Sequence, residues 1–264
     1  MSELEVSIVL PCYRGAQLAH RSVAELAAWL PQRFTSWEIL VVDDGGGDFG
    51  PEWQEEGVIR VIRLPRNRGK GAAVKAGMLA ARGRVRLFTD IDLPYDLDLL
   101  AASAAYVRER GFHLVVGDRT LPGSSYGGVV GWRRRLASAA FSRFVGTFLT
   151  GGFFDTQCGL KAFRADVAEA LFPLVRLERY AFDVEILYLA LLHRLDIKRI
   201  PVVLRNHEVS TVRLGRDSLS MLLDVVRIRL QSSRGLYRSP RLEAIVAADF
   251  DAMRFPPAGG APAR

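Results

Sequence analysis

The first 118 residues alternate short, unbroken apolar runs with amphipathic stretches, and this alternation narrows the fold more than any other feature of the chain. "EVSIVLP", "WEILVVDD", "VIRVIRL", "RVRLFTD" and "FHLVVGD" read as strands. "GAQLAHRSVAELAAWL", "GKGAAVKAGMLAARG" and residues 96–110 read as helices between them. Runs such as Ile-Leu-Val-Val at 39–42 suit strands covered on both faces. Strands joined by helices predict an α/β fold: a mostly parallel, twisted sheet with right-handed crossovers and helices on both faces. Sheets of this kind bind ligands beyond the carboxyl ends of their strands.

The second half is less regular. A basic helix is expected over 131–149, then a short strand and helix in "CGLKAFRADVAEALF". "FDVEILYLALLHRL" is apolar nearly all round and predicts a buried helix. "IKRIPVVL" reads as a late strand and residues 217–231 as an amphipathic helix. Residues 1–235 are expected to form a single domain and 236–264 a C-terminal extension. The Pro/Gly/Ala-rich end of that extension is expected to be disordered.

Acids fall where ligands would bind. Asp43 and Asp44, then Asp90 and Asp92, then Asp118 all stand at predicted strand ends. Two carboxylates as close as those of "DID" raise each other's pKa and cost stability unless a cation joins them. A solvated turn is the plainer reading of such a pair. A second acid pair on a neighbouring strand end favours the cation. Mg2+ or Mn2+ takes hard oxygens from one or two carboxylates and completes its shell with substrate phosphates. Its task would be to neutralise charge on a departing diphosphate. Asp43 and Asp44 can accept hydrogen bonds from a base N–H or from ribose hydroxyls.

Gly45, Gly47 and Gly50 spell G-x-G-x-x-G after a strand, but a dinucleotide fold does not follow. That motif needs a helix opening at the glycines, and here two acids precede them and would repel pyrophosphate. Arg66, Arg68 and Lys70 flank glycines just before a helix. They read either as a phosphate site at a helix N-terminus or as a basic loop that needs glycine to turn.

Lys and Arg outnumber Asp and Glu by 36 to 29, a balance that favours anionic partners. Cys12 and Cys158 are far apart and in no CxxC, which excludes a disulfide scaffold or zinc ribbon. Both are expected as small buried residues in a reducing compartment. No run reaches the ~18–20 apolar residues of a membrane span, and the acidic start does not read as a signal peptide.

"SIVLPCYRG", "EILVVDDGGGD", "RNRGKGAAVKAGM", "FTDIDL", "VVGDR", "DTQCGLKAF" and "YAFDVEIL" stand in the order found in family 2 glycosyltransferases. Over about residues 5–230 the chain resembles that family, which has the GT-A (nucleotide-diphospho-sugar transferase) fold. It is most similar to the branch of dolichyl-phosphate glucosyltransferases and polyprenyl-phosphate mannose synthases. The resemblance implies inverting transfer of a hexose from a nucleotide diphosphate to a lipid-linked phosphate. It places Pro11 and Tyr13 around the base, Asp43 near base or ribose, Lys70 near the nucleotide, and Asp90 and Asp92 on metal and diphosphate. It brings Arg119 and Arg133 or Arg135 to the donor and acceptor phosphates, with Asp155, Gln157 and Cys158 in the acceptor-side motif. His207 and Glu208 match the segment after the last strand. The chain departs from the family in three ways. Arg14-Gly15 replaces Asn-Glu, Ser210-Thr211-Val212 replaces an acidic-glycine-serine-lysine run, and the membrane anchor is missing.

The acceptor decides the mechanism. A phosphate monoester is already anionic at pH 7, whereas a hydroxyl needs a general base. Asp183 and Glu185 are the candidates for that base, and both also suit the start of a buried helix. His207 reads as a metal ligand or as an ordinary hydrogen-bonding residue. The basic stretch at 131–149 suits an interfacial helix, packing within the domain, or a homodimer contact. The expected function is therefore a UDP-sugar-dependent transferase, UDP-glucose favoured, using Mg2+ or Mn2+ and a polyprenyl phosphate. It is expected in the cytoplasm, peripheral on the inner face of the membrane. The alternative is a soluble family 2 enzyme acting on a small-molecule or polysaccharide hydroxyl, with Asp183 as base. A nucleic-acid binder rests on charge alone, and nucleic acid is not an expected partner.

Overall fold

A computed structural model of the chain describes residues 4–53, 57–125, 146, 149, 151–152, 155–205 and 216–254, with the side chains of 216–222 and 253–254 excepted. The elements run β1 (Leu4–Cys12), α1 (Ala16–Trp29), β2 (Trp37–Asp43), β3 (Ile59–Arg63), α2 (Lys70–Ala80), β4 (Gly83–Phe88), α3 (Asp98–Arg110) and β5 (Leu114–Asp118). They continue as β6 (Lys161–Arg164), α4 (Ala165–Leu171), α5 (Phe182–Leu192), β7 (Ile197–Pro201), α6 (Arg216–Ser233) and α7 (Pro240–Arg254).

The strands form one seven-stranded sheet in the order β3-β2-β1-β4-β6-β5-β7. Every pairing is parallel except those of β6, which runs antiparallel to both β4 and β5. The carboxyl ends of β1, β2, β3, β4, β5 and β7 therefore share one rim. The reversal of β6 brings its first residue, Lys161, to that same rim. A parallel β6 would have carried the preceding "DTQCG" loop to the opposite edge.

Alternation along the strands sorts the apolar runs onto two cores. Val9, Leu40 and Val42 join α2, α4 and α5 on one face. Ile8, Leu10, Ile39 and Val41 join α1 and α3 on the other. Both faces being covered is why these runs lack polar alternation. Helix α5 is enclosed from Phe182 to Ala190, as its all-round apolarity predicts. Cys12 and Cys158 are free and buried, as expected.

Beyond residue 235, Tyr237 and Leu242 are buried in the α2–α4–α5 core. Helix α7 is tied down by Asp249, which holds His113 Nε2 at 2.6 Å and Arg164 at 2.7 Å. The helix expected at 217–231 is α6. The one expected over 131–149 lies, apart from 146 and 149, outside the described residues, as does the Pro/Gly/Ala-rich end. No helix among the described residues is long and apolar enough to cross a membrane.

Candidate active site

On the β2 side of the rim, the acids shape loops. Asp43 is paired in register with Cys12 of β1 and is buried. Its carboxylate accepts the N–H of Gly46 at 2.7 Å and of Gly47 at 3.3 Å. Asp44, also buried, accepts the N–H of Arg68 at 2.8 Å and of Gly69 at 2.7 Å. Gly69 has φ +109°, and a Cβ there would stand 2.6 Å from the Glu178 carbonyl oxygen. That carbonyl also accepts the Ala72 N–H at 3.1 Å. The start of α2 is thus covered by the chain at 178 and its approach anchored by Asp44. Arg68 turns outward to pair with Glu178. Arg68 thus serves the loop, while Lys70 pairs with Asp90 at the rim. Pro11 is buried at the end of β1, while Tyr13 is 45% exposed with the Arg14 guanidinium 5.2 Å from its ring centre.

The D-x-D turn follows β4. The Leu93 N–H donates to the Asp90 carbonyl at 3.0 Å, and Leu93 takes φ +44° with its side chain buried. A branched residue rarely adopts this conformation, and the surrounding core holds it there. Ser22 of α1 donates to the Ile91 carbonyl and fixes the turn from below. The Asp90 side chain is 35% exposed and pairs with the Lys70 ammonium; Asp92 is partly exposed. Burial pulls the Lys70 pKa down, but the charges of Asp90 and Asp183 outweigh it, and the pKa lies above the usual lysine value. Among the described residues, no group of three or more His, Cys, Asp or Glu side chains is placed to hold a metal. Asp90 and Asp92 offer a hard-oxygen set of one or two carboxylates, which suits a cation that takes its other ligands from phosphate and water.

The β5–β6 side is built from ion pairs. Asp118 is fully buried and bonds to Thr120 and to Arg199, at 2.7 Å from Nε. The third strand-end acid is therefore engaged in holding β5 to β7. Arg119 gives its backbone N–H, at 2.7 Å, and two guanidinium N–H groups, at 2.8 and 2.6 Å, to Asp155. Burial raises the Asp155 pKa, but the Arg119 hydrogen bonds and charge overcome it and hold the carboxyl below its usual range. A Cβ at Gly159 would stand 2.1 Å from Asp90 Oδ2, so glycine is what lets this loop approach the D-x-D turn. The buried Tyr95 hydroxyl accepts the Gly159 N–H at 3.2 Å and the Cys158 thiol at 3.3 Å, joining the same two segments. Gln157 is partly exposed on that loop.

Asp183 lies at the start of α5, 3% exposed, with its carboxylate on the Lys161 ammonium. Burial raises its pKa against the opposing pull of Lys161 and Lys70. Glu185 is fully buried, accepting the N–H groups of Arg176 and Leu177 at 2.9 and 2.8 Å and the Tyr237 hydroxyl. These bonds tie the start of α5 to residues 176–177 and to Tyr237. Sequence reasoning passed over Lys161 and Tyr95. A lone cation inside the apolar strand "GLKAF" was the available signal for Lys161; nothing marks Tyr95. Arg133, Arg135 and His207 lie outside the described residues.

A mostly parallel sheet whose rim joins a D-x-D turn, a charged lysine and an arginine-carboxylate clamp defines a GT-A-type glycosyltransferase. The chain matches the model of "Glycosyl transferase family 2" over residues 7–172 and belongs to that family. It is 34% identical to a dolichyl-phosphate beta-glucosyltransferase of Dictyostelium discoideum, over 90% of this chain and 78% of the relative. It is 30% identical to the one of Saccharomyces cerevisiae, over 89% of this chain and 77% of the relative. In fold it is similar to glucosyl-3-phosphoglycerate synthase from Mycobacterium tuberculosis, solved with Mn2+, UDP-glucose and phosphoglyceric acid. That likeness has a TM-score of 0.59 at 19% identity and covers 85% of this chain and 79% of the other.

Proposed function

We propose that the protein is an inverting transferase that moves glucose from UDP-glucose to a polyprenyl or dolichyl phosphate. The observation that carries this reading is the enclosure of Asp183. A carboxylate 3% exposed and bonded to Lys161 is poorly presented to deprotonate an incoming hydroxyl. A phosphate monoester needs no such base. Its anionic oxygen attacks C1 of glucose, the bond from C1 to the diphosphate oxygen breaks, and the electron pair leaves with UDP. The names of the similar dolichyl-phosphate beta-glucosyltransferases support the same sugar and acceptor.

In this reading Pro11 and Tyr13 frame the base, and Asp43 orients the loop beside the ribose. Lys70 meets the diphosphate. Arg119, aimed by Asp155, meets phosphate together with Arg133 and Arg135. Asp90 and Asp92 hold Mg2+ or Mn2+, which when bound neutralises charge on the leaving diphosphate. The lipid phosphate is met from the cytoplasmic face of a membrane. On α6, Leu223, Val226 and Leu230 are exposed at three- and four-residue spacing, with the exposed Arg227 beside them. Such a face suits peripheral contact with an anionic bilayer.

The test is radiolabelled UDP-glucose with Mg2+ or Mn2+ and either polyprenyl phosphate or a panel of sugar hydroxyls. Label is expected in the organic phase with the lipid phosphate. Label on hydroxyl acceptors, with none on lipid, would overturn the reading.

A further inference from the structure

No step above uses the buried cation Lys161. It lies on β6 at the rim, paired with Phe88 of β4 and Val116 of β5, and is 1% exposed. An ammonium has three donors and no acceptor. Here they reach the carbonyls of Thr156 at 3.2 Å and Cys158 at 2.9 Å, and the carboxylate of Asp183. A buried charge is tolerated only with partners like these, and an apolar pair of similar volume often serves stability as well or better. The partners themselves suggest a role beyond filling space. Two belong to the loop that carries Asp155 and presses Gly159 against Asp90. The third, Asp183, opens α5 and is buried. One side chain thus ties the loop behind Arg119, which meets the D-x-D turn at Gly159, to the start of α5.

We propose that Lys161 is a positioning residue for glycosyl transfer: it pins the 155–159 loop, which carries Asp155 and meets Asp90 at Gly159, to Asp183 at the start of α5. The inference rests on the glucosyl-transfer reading for its nucleotide readout, while a second readout needs no substrate.

The experiment compares the wild type with D183N and with the paired variant K161M/D183N, which leaves no buried charge without a partner. Thermal unfolding is measured alongside the Kd for UDP with Mn2+ and the amide hydrogen exchange of residues 155–159, followed by peptide mass spectrometry. The paired variant is expected to unfold within a few degrees of wild type, yet to bind UDP at least tenfold more weakly. The 155–159 amides, released from that tie, are expected to exchange at least tenfold faster in the paired variant. A folded paired variant with UDP affinity and loop exchange within twofold of wild type would overturn the proposal. Should the paired variant not fold, unchanged loop exchange in D183N would overturn it equally. If wild-type protein neither binds UDP nor transfers glucose, the functional reading fails instead, and the loop exchange alone decides the role of Lys161.

Discussion

On the β2 side of the rim, Asp43 and Asp44 accept backbone N–H groups; on the β5–β6 side, Asp118, Asp155 and Asp183 hold arginine and lysine. The first arrangement shapes loops without calling on another charge, so each acid can be lost at the scale of its hydrogen bonds. The second is mutual. Removing either partner leaves the other charge buried or half-buried without that counter-charge. The same residue type around one rim thus does two jobs, and the partners decide which. In the proposed reaction, the first side would serve as a shaped cradle for the nucleotide and the second would hold cations for the acceptor phosphate.

The contrast can be broken from either side. Asp155→Ala should have the largest effect, because Arg119, 29% exposed, loses both guanidinium contacts and its backbone tie. We expect a loss of about 3 kcal/mol in urea unfolding, toward the low end for a broken buried pair. Turnover should fall about 100-fold, the scale of a misplaced positioning group. The same acid gives a pH signature. Its folded pKa is held below the usual 3.8, so its contribution is fully present above that value and is lost as pH falls through the depressed one. Tm measured from neutral to strongly acidic pH should fall less steeply at the acid end in Asp155→Ala than in wild type.

Asp44→Ala comes next. It leaves the Arg68 and Gly69 N–H groups without their acceptor, and about 1–3 kcal/mol of stability should go with them. UDP affinity should weaken by less than turnover falls in Asp155→Ala; an equal or larger loss would erase the distinction between the two sides. Arg68→Ala should matter least. Its pair with Glu178 is nearly half exposed on both sides, and such pairs contribute about 0–1 kcal/mol. A larger cost would mean that the loop before α2 depends on charge after all.

Much of this is legible in the sequence. Apolar runs bounded by acids placed Asp43, Asp44, Asp90, Asp92 and Asp118 at strand ends, because a buried strand has to shed its polar residues to its tips. The all-round apolarity of "FDVEILYLALL" announced an enclosed helix. What stayed hidden were choices of partner. Nothing local says that Asp44 reaches Gly69, that Asp118 turns to Arg199, or that the Tyr95 hydroxyl receives the loop at Gly159.

The sequence by itself determined the α/β class, the strand-end acids and the membership signalled by its ordered motifs, since these depend on periodicity and on residues near one another in the chain. The tertiary structure alone decided that β6 runs backward and that Lys161 therefore meets Asp183 beneath the rim. The reason is physical. Strand direction and charge pairing are set by which segments pack together across the sheet, and a carboxylate carries no mark of whether a cation, an N–H group or water will face it.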